Sequence, residues 1–125
     1  MKIDISIGEL VDKVSILSIK LEKIKNPDKL KNIKKEYDLL YESMKKTGIT
    51  KDSEQFINLV QVNLSLWDIE DKIRIKEAKN EFDDDFIQLA RSVYFENDKR
   101  AEIKKQINLT FGSDLIEEKE YVQYK

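Results

Sequence analysis

The sequence contains no cysteine and no histidine. Without histidine there is no Ser-His-Asp triad and no imidazole to move protons near neutral pH. Without cysteine there is no thiol nucleophile and no disulfide. Zinc sites draw mainly on these two residue types, so a zinc centre is not expected. Glycine (three residues) and proline (one) are also scarce. Folds rich in β-structure need many turns, and turns are built from such residues. An all-α fold is therefore favoured before any periodicity is read. No apolar run approaches the roughly 20 residues of a membrane span. The opening Met1-Lys2-Ile3-Asp4 lacks the apolar core of a signal peptide. A cytoplasmic location is expected, with no membrane partner.

Charge, by contrast, is plentiful. Lysine and arginine number 23, aspartate and glutamate 25, for a net of −2. Residues 1–51 carry a net of +4 and residues 52–125 a net of −6. Halves of opposite sign attract, within one chain or between two. Only three basic residues are arginine (Arg74, Arg91 and Arg100), all in the acidic half. Nucleic-acid binding ordinarily needs a dense basic face on a basic domain. An acidic chain with scattered lysines is not expected to bind it.

At 125 residues the chain is long enough for one domain that folds without a metal or disulfide. Ile7, Leu10, Val14, Leu17, Leu21 and Ile24 recur at steps of three and four, which places them on one helical stripe. The first helix is expected at about 6–25, with Ser6 and Glu9 as a capping box. Asn26-Pro27 ends it and starts the next helix, at about 27–47. Leu30, Ile33, Tyr37, Leu40 and Met44 form that helix's stripe, and Gly48 is expected to close it. A third helix, about 53–79, carries Leu59, Val62, Leu66, Ile69 and Ile73. A fourth, about 84–111, starts at Asp83-Asp84-Asp85 and ends before Gly112. Those aspartates suit a helix N-terminus better than a calcium loop. Residues 113–125 read as a tail, either a short helix or an arm. The expected architecture is two antiparallel helical hairpins in a four-helix arrangement with a C-terminal arm.

The polar chemistry concentrates on the last two helices. Asn63, Trp67, Glu70, Arg74 and Glu77 step by four and three, so they share a face. Asp68 and Asp71 lie close by. On the fourth helix, Asn97, Arg100 and Lys104 interrupt an apolar seam that begins at Phe86, Ala90 and Val93. Arg91, Tyr94 and Asp98 flank it. Antiparallel packing is expected to bring Glu70, Asp71 and Glu77 opposite Arg91, Arg100 and Lys104, in a partly buried cluster. The candidate site is thus Trp67, Glu70, Asp71, Arg74, Glu77, Arg91, Tyr94, Asn97, Asp98, Arg100 and Lys104. One reading is an interhelical ion-pair network that sets register. The other is a ligand site in which Glu70, Asp71, Glu77 and Asp98 hold magnesium and Arg74, Arg91, Arg100 and Lys104 hold a phosphate. Trp67 reads as core, its indole N–H in want of a partner. The carboxylate pair Glu9 and Asp12 reads as one of many pairs that arise by chance among 25 acids.

The blocks Ile7-Gly8-Glu9-Leu10-Val11-Asp12-Lys13, Asn63-Leu64-Ser65-Leu66-Trp67-Asp68-Ile69-Glu70-Asp71-Lys72-Ile73-Arg74 and Phe86-Ile87-Gln88-Leu89-Ala90-Arg91-Ser92-Val93-Tyr94 stand out, followed by Asn97-Asp98-Lys99-Arg100-Ala101. Together with Gly112-Ser113 and Glu117 to Tyr121, they resemble an uncharacterised domain-of-unknown-function family of small all-helical bacterial and phage proteins. The resemblance spans nearly the whole chain. It implies a fold and a membership, but no activity, cofactor or catalytic residue. All-helical nucleoside triphosphate pyrophosphatases are a foil, because they hold magnesium with paired carboxylates. Asp68 and Asp71, and Glu117 and Glu120, have that spacing, but outside that family's sequence context, and fold-level analogy does not establish function.

The reading that follows is a cytoplasmic helical module that acts by interaction rather than catalysis. A homodimer is expected, because apolar residues such as Phe56, Ile75 and Phe95 exceed what four thin helices cover; another protein partner is possible. No cofactor is expected. The alternative is magnesium-dependent binding or hydrolysis of a phosphorylated small molecule, such as a nucleotide or nucleotide sugar.

Overall fold

The computed structural model describes residues 5–112. The expected C-terminal arm and the Glu117–Glu120 pair lie outside the described residues. Four helices follow in chain order: α1 (Ile7–Lys23), α2 (Pro27–Lys45), α3 (Glu54–Ala78) and α4 (Asp84–Phe111). None of them is long and apolar enough to cross a membrane.

The helix starts are chemically specified. Ser6 Oγ accepts the Glu9 backbone N–H at 3.1 Å, satisfying one of the orphan donors of α1's first turn. The other half of the expected capping box does not form, because the Glu9 carboxylate reaches Lys104 Nζ at 2.7 Å instead. Asn26 Oδ1 accepts from the N–H groups of Asp28 and Lys29, with Pro27 opening α2. Asp83 Oδ1 accepts the Phe86 N–H at 2.9 Å at the start of α4. Gly112 closes α4 in the left-handed region at φ 69°, where a glycine carries no Cβ penalty.

The four helices form a layered arrangement. α1 and α2 make one hairpin, α3 and α4 the other, and α1 lies against both helices of the second hairpin. α2 packs on α1 alone. The core joins Val11 and Val14 of α1, Met44 of α2, Ile49, Phe56, Leu59 and Val62 around the start of α3, and Ile107 of α4. Phe56, expected to be left uncovered, is buried in this core. It sits at the end of the hairpin that α1 covers.

The two hairpins differ in length. α1 has 17 residues and α3 has 25, so α3 outreaches α1 by about 12 Å at 1.5 Å per residue. Every buried residue of α3 lies between Phe56 and Leu66, and those of α4 are Ile107 and Asn108. The distal half of the hairpin buries nothing fully and leaves Ile75, Phe82, Ile87, Tyr94 and Phe95 exposed.

Candidate functional site

The polar centre of the molecule is built on α1, where the sequence reading placed only structure. Gly8, Asp12, Ser15 and Ile19 step by four, three and four along α1, and all four are buried. They form a second stripe beside Val11, Val14 and Leu17, and it faces the α3–α4 hairpin.

At the proximal end the helices touch closely. The Gly8 N–H, an orphan donor of α1's first turn, donates to Asn108 Oδ1 at 2.7 Å. A Cβ at Gly8 would lie 2.5 Å from the backbone oxygen of Lys104. Only glycine lets α1 and α4 meet here.

One turn further along sits a buried carboxylate. Asp12 is 1% exposed. Its Oδ1 accepts from Arg100 Nε at 3.0 Å and from Asn63 Nδ2 at 2.9 Å, and its Oδ2 accepts from Arg100 Nη2 at 2.6 Å. Asn63 Nδ2 gives its other hydrogen to Ser15 Oγ at 2.8 Å, and Ser15 Oγ donates to the Asp12 backbone carbonyl at 2.6 Å. The amide orientation is fixed by this pattern, because an ionised carboxylate only accepts. Lys104 Nζ stands 4.0 Å from Asp12 Oδ2 while it pairs with Glu9. The bidentate bonds to Asp12 hold the Arg100 guanidinium above its ordinary pKa, against the opposing pull of partial burial. A fork-to-carboxylate pair of this kind is strong and directional, and breaking it on one side strands a buried charge.

A cleft of about 250 Å³ opens beside this network. Ile16 and Ile19 of α1 and Leu66 of α3 supply its aliphatic surface. Asn63, Trp67 and Glu70 of α3 and Asn97 and Arg100 of α4 supply its polar groups. Arg100 uses Nε and Nη2 on Asp12, which leaves Nη1 uncommitted. Asn63 donates both amide hydrogens, which leaves its carbonyl oxygen as an acceptor.

The cluster expected between α3 and α4 is divided. Trp67, Glu70, Asn97 and Arg100 come together at the cleft, and Lys104 flanks it through Glu9. Asp71, Arg74, Glu77, Arg91, Tyr94 and Asp98 are exposed along the hairpin. The expected pairing of Glu70, Asp71 and Glu77 with Arg91, Arg100 and Lys104 does not form. Arg100 and Lys104 turn instead to Asp12 and Glu9 on α1. The physical reason is competition for the seam: α1 covers the Arg100 face of α4, and its buried carboxylate outbids carboxylates in water. Among the described residues no three carboxylates converge in a group able to hold a metal ion. Trp67, expected in the core, is only partly covered.

The sequence reading missed Gly8, Asp12, Ser15 and Asn108, and it named Asn63 without giving it a role. The available signal was the step of Gly8, Asp12, Ser15 and Ile19, a small-and-polar stripe adjoining an apolar one.

A second feature lies on the side of the hairpin that α1 leaves bare. Two hollows, of about 470 and 620 Å³, run between α3 and α4 and include no residue of α1. In the distal hollow the α3 wall is basic, with Lys72, Lys76 and Lys79 around Ile75. The α4 wall there carries Asp85 and Leu89; proximally it is mixed, with Glu96, Asp98 and Glu102 beside Lys99, which pairs with Glu96 at 3.3 Å. Lys76 is engaged within the chain, at 3.0 Å from Asp83 and 3.6 Å from Glu81.

A protein-family model described as a family of unknown function (DUF6165) matches residues 1–124. No curated protein and no solved structure matches the chain significantly.

Proposed function

We propose, for a chain that belongs to the DUF6165 family of unknown function, a module that works by association, its first partner a second copy of itself. The observation that carries this reading is the bare side of the α3–α4 hairpin. It combines exposed Ile75 with Lys72, Lys76 and Lys79 on one wall of the distal hollow and Asp85 on the other, and exposed Phe95 lies one helical turn from Ser92 of that second wall.

Such a surface is self-complementary. A twofold axis parallel to the helices stacks α3 of one copy on α4 of the other, level with level. Lys72 and Lys79 then face the partner's Asp85, and Ile75 and Phe95 leave water. Two hairpins paired this way make a four-helix layer with α1 and α2 on each outer side. A stable interface of this type buries about 800 Å² per partner, its apolar centre rimmed by charge.

Analytical ultracentrifugation of the full chain tests the proposal. A dimer at micromolar concentration is expected, converted to monomer by Ile75→Glu with Phe95→Glu. Both residues are exposed in the single chain, so the variant should keep the parent's helical content. Lys72→Glu with Lys79→Glu should weaken the dimer, and more so at low salt. A parent that stays monomeric at about 100 µM, or a dimer indifferent to both pairs, would sink the proposal.

The magnesium-phosphate alternative gains no support from the geometry. Its four carboxylates do not converge, Arg74 and Arg91 stand apart in solvent, and Arg100 and Lys104 are already matched by acids.

A further inference from the structure

We infer that the cleft beside the Asp12–Arg100 pair binds a free α-amino acid with an aliphatic side chain. This cleft is lined in part by α1 and is separate from the pairing surface proposed above, whose hollows include no residue of α1.

The polar groups that line the cleft include charges of both signs. Arg100 Nη1, with its hydrogens free, offers a donor fork edge to a carboxylate. Glu70, on the opposite helix, offers a carboxylate to an ammonium. These two groups line one cleft without closing into an ion pair. The Asn63 carbonyl oxygen adds an acceptor whose orientation the buried network fixes. Arg100 is itself held by two bonds to a buried carboxylate, so its free edge is presented without loss of side-chain entropy on binding. Ile16, Ile19 and Leu66 line the same cleft, a surface suited to a branched alkyl group.

Other ligand classes fit less well. A phosphate would bring its anionic charge against the Glu70 carboxylate, with Lys104 already taken by Glu9. A simple alkylamine would satisfy Glu70 but leave the free edge of Arg100 without an acceptor. A neutral polyol would desolvate both charges and return no charge to either. A zwitterion supplies the missing partner at each end. The size agrees, since about 250 Å³ is roughly eight water volumes at about 30 Å³ each, close to the heavy-atom count of valine or leucine.

The chain has one tryptophan, Trp67, and it lines this cleft. Its fluorescence therefore reports occupancy with no label. We would titrate the full chain with L-leucine, isopentylamine, isovalerate, glucose and inorganic phosphate. The expected result is a saturable change with L-leucine, at least about tenfold tighter than with either single-charge analogue. Glu70→Gln is expected to weaken leucine about tenfold, as loss of a charge-assisted contact does. Glu70 is exposed, so this variant should melt like the parent, whereas Arg100 variants disturb the fold. Equal response to isopentylamine, response to phosphate or glucose alone, an unchanged affinity in Glu70→Gln, or no response to leucine at about 50 mM would each overturn the inference.

Discussion

The two halves of the α3–α4 hairpin carry the same kinds of residue at the same helical spacing, and they end in opposite states. Proximally, Asn63 and Arg100 reach into a buried network centred on Asp12. Distally, Arg74 and Arg91 point into water. The difference is α1. Where α1 covers the hairpin, a guanidinium finds a desolvated carboxylate with fixed geometry. Where α1 has ended, the same side chain meets a high dielectric in which an ion pair is worth little. A charge at core spacing is therefore only a conditional signal; its energetic weight depends on a third helix.

The comparison breaks most directly at Asp12. Asp12→Ala removes the acceptor for Arg100 and Asn63 together, and urea unfolding should show a loss of about 3–5 kcal/mol. Arg100→Ala should cost a similar amount. The double variant should cost less than the sum, because the two residues act as one unit. A sum that is strictly additive would mean the pair does not form.

Gly8→Ala comes next. The added methyl must displace the Lys104 carbonyl region, and overpacking of this kind costs about 1–3 kcal/mol. If thermal unfolding shows no loss, α1 and α4 are not in close approach at this point.

Arg74→Ala and Arg91→Ala sharpen the contrast from the other side. Both are exposed, so each should change stability by less than about 0.5 kcal/mol. A loss as large as that of Arg100→Ala would mean that the distal half is covered after all.

The smallest effect concerns the tip. The Phe86 N–H, and then Lys76, hold the Asp83 carboxyl below its ordinary pKa. For a depressed acid the stabilising contribution is present above the unfolded value and is lost as pH falls through the folded one. The Phe86 amide resonance, followed by NMR from neutral pH downward, should therefore move only below the ordinary aspartate range. A transition at or above that range would show that the cap is not formed. Asp83→Ala should loosen the first turn of α4 and leave the core unchanged, as amide exchange would report.

Much of the fold was readable because it rests on local chemistry. Three-four spacing of apolar residues makes amphipathic helices wherever the chain goes. Asn26-Pro27 stops one helix and starts another by sterics alone. Asp83 and Gly112 bound α4 through their own side chain or lack of one. The site was harder to read. Asp12 sits between Val11 and Val14 and resembles any of the other acids until α4 is placed beside it. Asn63, Arg100 and Lys104 did announce a polar interruption of the core. Arg100 and Lys104 find their partners on α1 rather than on α3, because spacing along one helix carries no information about which neighbour covers it.

The sequence by itself determined the class of fold, the helix ends and the exclusion of thiol and imidazole chemistry. These follow from backbone sterics, periodicity and composition, which act over a few residues. Only the tertiary structure decided that α1 lies across the second hairpin while α2 stays outside. That crossing buries Asp12 against Arg100, opens the cleft at Trp67 and leaves the distal hairpin bare. Those outcomes depend on which surfaces lose water together, and desolvation is set by contacts between residues some 90 positions apart in the chain, as Asp12 and Arg100 are.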